Sequence, residues 1–183
     1  MMDRDEALSL VREHVKKENN IKHMVGVGAV MRQLAMRLDQ DEGTWEVVGI
    51  LHDIDFEECS GMCDHTLIAK DILHGKVDDE VIDAIMAHNH ESTKVPVDTV
   101  MKKGLIASDA VSGLVVACAL VMPSKKLADV KSGSLMKKFR TSDFAKGVSR
   151  DRIMICTDMG IDLDDFLSIA LEGMRYRSDE LGL

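Results

Sequence analysis

The sequence predicts an all-α domain, and both its composition and its patterning support this fold class. Only 3% of the 183 residues are aromatic and only two are proline. Met, Leu, Ala, Val and Ile are abundant, so the expected packing is aliphatic and the intrinsic bias is helical. Apolar residues also recur at steps of three and four, which is the period of a helix with one buried face. A chain of this length is expected to fold as one domain, residues 1–183, with a substantial core.

The first third of the chain is expected to hold three helices. The first covers about residues 3–18. The second covers about residues 21–38, and His23 stands at the start of its apolar stripe. Thr44 is a candidate N-cap for the third helix, on whose buried face His52 follows Trp45 and Val48 at helical spacing.

The middle of the chain predicts a loop over residues 56–62 and then three further helices. The first of these places His65 on its inward face, the second places His88 there, and the third places Asp109 there. Apolar residues continue after Asp109 as far as Met122. The candidate caps and stops of these helices are Asp64, Gly75, Asp78, Pro96, Asp98 and Pro123.

The last third changes character, because the segment 124–150 carries eight basic and only two acidic residues, a net charge of +6. Glycine and serine punctuate this segment, which predicts short helices joined by tight turns. Two closing helices are expected at about 150–158 and 162–175, with Gly160 between them.

The charge and the ends of the chain limit the expected partners. A net charge of −9 argues against binding to nucleic acid or to an anionic membrane, since both require a basic surface. The N-terminus lacks the apolar core of a secretory signal, and no stretch is expected to form a membrane span. We therefore expect a cytoplasmic protein whose four cysteines are reduced thiols. The sequence does not indicate whether it forms a homo-oligomer.

The segment Gly49–Asp55 holds the most informative pattern, because His52 and Asp53 stand side by side at the end of an apolar run. Ionisable groups are rarely buried unless they are paired or bound to a metal. A single histidine on an apolar stripe, such as His14, is usually only a hydrogen-bonded core residue. Here, however, five stripes each contain a residue type that binds metals: His23, His52 with Asp53, His65, His88 and Asp109.

The order of these residues resembles the H…HD…D signature of the HD-domain superfamily of metal-dependent phosphohydrolases. The resemblance covers about residues 21–121, which leaves 124–183 as a helical C-terminal extension, and it implies a helical bundle that holds one or two metal ions. Two additional histidines resemble those of the dinuclear branch, which includes small bacterial hydrolases of dinucleoside tetraphosphates. Carried over position by position, the family implies a first metal bound by His23, His52, Asp53 and Asp109, and a second bound by His65, His88 and the bridging Asp53.

These roles imply that Asp53, His65 and His88 are the candidate catalytic residues. His90 competes with His88, but His88 continues the apolar stripe of its helix. Asp55 is expected either to orient a ligand from outside the metal sphere or to begin the loop as an exposed cap. The ions would be one or two divalent transition metals from among Fe, Mn, Co, Ni and Zn, because histidine and carboxylate ligands suit all of them.

The expected reaction is hydrolysis of a small phosphorylated metabolite, either a nucleotide or a dinucleotide. A divalent ion lowers the pKa of its bound water from about 16 toward 7, which makes hydroxide available at neutral pH. Cations fixed near the phosphate would stabilise the charge that develops on its oxygens. The candidates for this role come from the basic segment, although each could equally be a solvated surface residue: Lys137, Lys138, Arg140, Lys146 and Arg150.

Two other functions fit the same ligand pattern. Some relatives with this pattern are di-iron oxygenases, and the ligands alone do not separate the two chemistries. The chain could also be a binding or sensory module that has kept the fold but not the activity. The complete set of ligand positions argues against this second alternative.

Overall fold

A computed structural model describes residues 2–61 and 63–183, and within these residues it contains α-helices and no β-strand. The predicted all-α fold class is therefore confirmed. Two short 3-10 turns, Leu127–Asp129 and Ile155–Met159, join helices of the C-terminal part. The helices are α1 (Arg4–His14), α2 (Glu18–Arg37), α3 (Glu42–Leu51), α4 (Leu67–Leu73), α5 (Asp79–His88), α6 (His90–Thr93), α7 (Val100–Leu120), α8 (Ser132–Phe139), α9 (Arg150–Met154), α10 (Leu163–Tyr176) and α11 (Ser178–Leu181).

Helix α2 lies at the centre of the bundle and packs against α3, α7 and α10. It approaches α3 especially closely, because Gly28 and Gly49 meet at the crossing. A Cβ atom on Gly49 would lie only 2.6 Å from the Cα of Gly28, so two glycines are needed for the backbones to touch. This crossing lies one turn from His52 on α3, and it holds the end of α3 against the helix that carries His23.

Helix α7 is the second core helix, and it packs against α2, α3, α5 and α10. By length and composition it could cross a membrane, which corrects the expectation that no stretch approaches such a span. However, 61% of its most apolar window is buried inside the fold. Its apolar side chains thus supply the protein core, in which Trp45 and Phe166 are the largest fully buried side chains.

Several helix starts differ from the sequence expectation by a few residues. Asp41, and not Thr44, caps α3, because its carboxylate accepts the Thr44 backbone N–H at 2.7 Å. Thr99 caps α7, since the side chain of Asp98 is paired instead with Lys102 at 2.8 Å. The N-cap of α4 is Thr66, two residues later than the cap expected at Asp64, so His65 precedes this helix and does not lie on its inward face as expected.

The C-terminal part packs onto the bundle through α10, which lies against α2, α7 and α8. The basic segment is organised by arginines that bind backbone carbonyls. Arg175 donates to the carbonyls of Leu127, Ala128 and Val130. The four cysteines form no disulfide, as expected from the sequence.

Candidate metal centre

Four helices and one loop bring together the six residues that the sequence singled out. His23 comes from α2, His52 and Asp53 follow the end of α3, His65 lies in the loop before α4, His88 ends α5 and Asp109 lies in the middle of α7. The Nε2 atom of each histidine faces a carboxylate oxygen. The separations are 3.2 Å from His23 to Asp109, 3.4 Å from His52 to Asp53, 3.3 Å from His65 to Asp53 and 3.2 Å from His88 to Asp109.

The spacing of these atoms fits a metal ion. One ligand atom each from His23, His52 and Asp109 lie within 4.8 Å of one another, and so do ligand atoms of His52, Asp53 and His88. Two of the atoms, His52 Nε2 and Asp53 Oδ1, are buried and make no hydrogen bond in the part of the chain that the structure describes. Buried polar atoms are rarely left in this state. Imidazole nitrogens and carboxylate oxygens around such atoms suit a divalent transition metal.

Hydrogen bonds outside the centre fix the orientation of three of the four imidazole rings. His52 Nδ1 donates to the carbonyl of Gly49 at 2.8 Å, and a carbonyl oxygen can only accept. Ser112 Oγ donates to the Asp109 carbonyl at 2.8 Å, so it accepts from His23 Nδ1 at 3.3 Å. In its neutral form each ring therefore carries its proton on Nδ1 and directs the lone pair of Nε2 toward the centre, as metal-ligating histidines do.

Asp55 orients the third ring and shapes the loop that carries it. Its carboxylate is fully buried and accepts from His65 Nδ1 at 2.9 Å. It also accepts the backbone N–H groups of Thr66 at 2.7 Å and Ala69 at 3.0 Å. Thr66 adopts a left-handed conformation with φ of 69°. The structure thus resolves the two alternatives for Asp55, which supports a histidine and is not an exposed cap.

The electrostatics of the centre are those of closely packed opposite charges. Burial alone lowers the pKa of His52, but the carboxylates of Asp53 and Asp109 outweigh this effect and raise it to about 9. The pKa of His65 is likewise lowered by burial but raised to about 9 by Asp53 and Asp55. The pKa values of Asp53 and Asp109 are raised by burial, yet the histidines hold both well below their usual range. The two carboxylates are therefore ionised and accept positive charge.

The basic residues proposed from the sequence lie elsewhere. The Arg150 guanidinium donates to six backbone carbonyls between residues 138 and 148, so it stabilises the basic segment itself. Lys146 is exposed and pairs with Asp143 at 3.1 Å, while Lys138 Nζ lies 4.4 Å from the centroid of the Phe144 ring. Lys137 and Arg140 are exposed. Among the described residues, none of the five forms an ion pair with a proposed metal ligand.

Arg152 is the cation that the sequence reasoning missed. Its Nη2 atom lies 2.8 and 3.0 Å from the two carboxylate oxygens of Glu91, and its Nη1 atom lies 3.9 Å from Asp109 Oδ2. Arg152 lines a cavity of about 370 Å³ together with His23, Asp109 and Ser149, which we call the Arg152 cavity. The sequence held one indication that Arg152 faces the centre, because residues two apart, such as Arg150 and Arg152, lie on opposite sides of a helix. When Arg150 faces the basic segment, Arg152 must face away from it.

Comparisons with known proteins agree with this geometry. The sequence model of the HD domain matches residues 20–112, which is half of the chain and includes all six residues of the centre. Searches of curated proteins and of solved structures found no match.

Proposed function

This chain belongs to the HD-domain family, and on that premise we propose that it is a metal-dependent phosphohydrolase acting on a small phosphorylated metabolite. The convergence of four histidines and two aspartates from separate helices carries the proposal. The family generally consists of hydrolases that use divalent metals. In this chain, ligand atoms of His23, His52 and Asp109, and likewise of His52, Asp53 and His88, lie within 4.8 Å of one another, which supports the proposal.

The proposed ligand sets are those that the resemblance to the family implies. His65 lies outside both groups of close ligand atoms, but its Nε2 atom faces Asp53 at 3.3 Å. His23, His52, Asp53 and Asp109 would hold one ion, and His65 and His88 would hold a second that Asp53 shares. A divalent ion bound there supplies hydroxide at neutral pH by lowering the pKa of a coordinated water, and it polarises the phosphate oxygens. The chain supplies the rigid positioning, since Gly49, Ser112 and Asp55 hold three of the imidazole rings in place.

Arg152 is the proposed phosphate-binding residue of the chain. Its guanidinium lies at the edge of the centre, where one of its nitrogens, Nη2, donates to both carboxylate oxygens of Glu91. A guanidinium in this position can donate two parallel hydrogen bonds to phosphate oxygens. It can also stabilise the charge that develops on them during the reaction. Glu91 would act as a positioning residue, because it follows the ligand His88 by three residues and ties α9 to that part of the chain.

Metal analysis combined with a substrate panel tests the proposal. Protein purified without chelators should contain a transition metal, and with Mn, Fe or Co restored it should release phosphate or nucleotide from at least one phosphoester. The panel should begin with nucleotides and dinucleotides, the substrates expected from the sequence. Chelation should abolish the activity. The Asp53→Asn variant should be inactive, whereas Asp71→Asn, which removes an exposed carboxylate on α4, should retain full activity.

Failure of a fully metallated and folded protein to hydrolyse any phosphoester would contradict the proposal. Oxygen uptake with a polyol or phosphonate under the same conditions would favour the oxygenase alternative. A folded protein that binds no metal would favour the sensory module.

A further inference from the structure

A second cavity adjoins the centre on the other side of His23. It has a volume of about 450 Å³ and lies between α2, α7, α10 and α11. Its walls are mainly aliphatic side chains, and we call it the aliphatic cavity. The side chains that define it are Val116, Leu120, Met174 and Leu181.

The aliphatic cavity borders the Arg152 cavity, because His23 and Gly113 line both. A phosphate held between the metal centre and Arg152 would therefore lie next to the aliphatic cavity. The two cavities differ in chemistry, since one presents Arg152 and Ser149 and the other presents mainly hydrocarbon. The volume of the aliphatic cavity lies in the range of small-molecule binding sites, roughly 300 to 1,000 Å³.

Lys22 adds one positive charge to the aliphatic cavity. It directly precedes His23 on α2 and is half-buried, and it forms no ion pair with any other described residue. Its Nζ atom lies against Gly182, where a Cβ atom would come within 3.0 Å of it. The stem of such a lysine can cover apolar surface while its ammonium group binds an anion. The cavity thus combines an apolar lining with one free cation beside the metal centre.

We propose that the aliphatic cavity binds the organic group of the substrate and that this group is apolar. The proposal rests on the proposed function, which places the phosphate beside His23 and Arg152. The substrate would then be a phosphate ester of an apolar alcohol, with the ester oxygen near His23 and the hydrocarbon between α7 and α10. Lys22 lines the aliphatic cavity and not the Arg152 cavity, so it would attract the anionic ligand through its charge while Arg152 contacts the phosphate. The lining offers few polar groups that could read the edge of a nucleobase, Asn19 being the one side-chain amide.

The binding of alkylphosphonates to the Mn²⁺-loaded protein tests the proposal without hydrolysis. In titration calorimetry, affinity should rise about fourfold for each added methylene from ethyl to hexyl. Binding should show a negative heat-capacity change that grows with chain length. The corresponding alkyl phosphates should show the same trend in kcat/KM.

Three variants assign the effect to this cavity. Leu120→Gln places an amide on a side chain that is already 52% exposed, so folding should be retained while the dependence on chain length becomes weaker. Val116→Phe should fill the cavity and reduce the affinity of the hexyl compound more than that of the ethyl compound. Lys22→Met should weaken all chain lengths about equally, whereas Lys76→Met, which removes an exposed lysine beyond α4, should bind like the unmodified protein.

The outcomes separate this inference from the proposed function. Phosphonate binding that depends on chain length, without hydrolysis of any ester, would support an apolar ligand in the aliphatic cavity and would contradict the proposed hydrolase activity. Hydrolysis with no dependence on chain length would overturn the cavity alone. A nucleoside phosphonate that binds more tightly than hexylphosphonate would contradict an apolar organic group. Self-association that excludes the phosphonates would show that a second copy of the chain covers the cavity.

Discussion

Two clusters of buried charge in this molecule are balanced in different ways. Around Glu46, which is almost fully buried, three arginines neutralise one carboxylate. Arg177 Nη2 and Arg4 Nε lie 2.8 and 3.0 Å from Glu46 Oε1, and Arg32 Nε lies 3.6 Å from Oε2. We call this the Glu46 cluster. Glu180 and Glu42 also pair with these arginines. Both Glu46 oxygens thus have cationic partners, as expected of an ion cluster that serves the fold, although Arg177 Nε is buried without a partner among the described residues.

In the metal centre, by contrast, the carboxylates have no close arginine partner in the described part of the chain, and some buried ligand atoms are unpaired. Its two carboxylates face four imidazoles, and the nearest guanidinium atom, Arg152 Nη1, is 3.9 Å away. His52 Nε2 and Asp53 Oδ1 lack hydrogen bonds among the described residues. Burial of charge therefore does not by itself identify a functional site, since both clusters are buried. What distinguishes a site is a set of buried ligand atoms that the protein orients but does not satisfy.

Removal of a ligand from the centre should have the largest effect on function. Asp109→Asn should reduce metal-dependent hydrolysis to background, because Asp109 faces both His23 and His88. The far-UV circular dichroism spectrum should remain helical. Metal content and hydrolysis are measured on the same preparation. If the variant kept both metal and activity, Asp109 would not be a metal ligand.

Disruption of the Glu46 cluster should instead lower the stability of the fold and leave metal binding and activity unchanged. Glu46→Gln should lower the free energy of unfolding by about 2 kcal/mol, because it removes the carboxylate that three arginines share, while Glu180 and Glu42 still pair with them. Metal content and kcat/KM should not change at a temperature where the variant is folded. Urea unfolding measures the effect, and Glu13→Gln on the exposed face of α1 is the control. Loss of activity without loss of stability would contradict the distinction between the two clusters.

A change in Asp55, which supports His65, should weaken metal binding less than the loss of a metal ligand does. Asp55→Asn should weaken metal binding by about tenfold to a hundredfold, as expected when a group that orients a ligating histidine is changed. The asparagine oxygen can still accept from the backbone N–H groups of Thr66 and Ala69, but its NH2 group would then face His65 Nδ1 and cannot accept the proton of that ring. Competition with a metal-binding dye measures the change. An unaltered affinity would mean that His65 does not contribute to metal binding.

The sequence predicts the features of this arrangement that depend on nearby residues of the chain better than those that depend on residues far apart in sequence. Helical periodicity placed His88 on the inward stripe, and the structure brings its Nε2 to Asp109, whereas His90 lies on the surface beside Glu91. Asp41 was missed as a cap because neighbouring polar residues compete for that role within a few residues. Arg152 was missed because its partner Glu91 lies 61 residues away, and only the packing of α9 determines which of its two arginines faces the centre.

The pH dependence of stability gives the most specific test of the difference between the two clusters. The folded-state pKa values of His52 and His65 are about 9, above the 6.5 expected in the unfolded chain. The carboxylates of Asp53, Asp109 and Asp55 raise them. The protonated histidines therefore stabilise the metal-free protein fully below pH 6.5, and this stabilisation is lost as the pH rises through 9. The slope is at most about 1.4 kcal/mol per pH unit for each proton bound only in the folded state.

Bound metal should reverse this dependence, because it requires neutral imidazoles and displaces their protons. The urea midpoint of chelated protein should fall between pH 6.5 and 9, while that of metal-loaded protein should stay level or rise. Glu46→Gln should lower both curves without changing their slopes, since no histidine belongs to the Glu46 cluster. Equal slopes for the chelated and loaded proteins would show that the metal does not replace protons on His52 and His65.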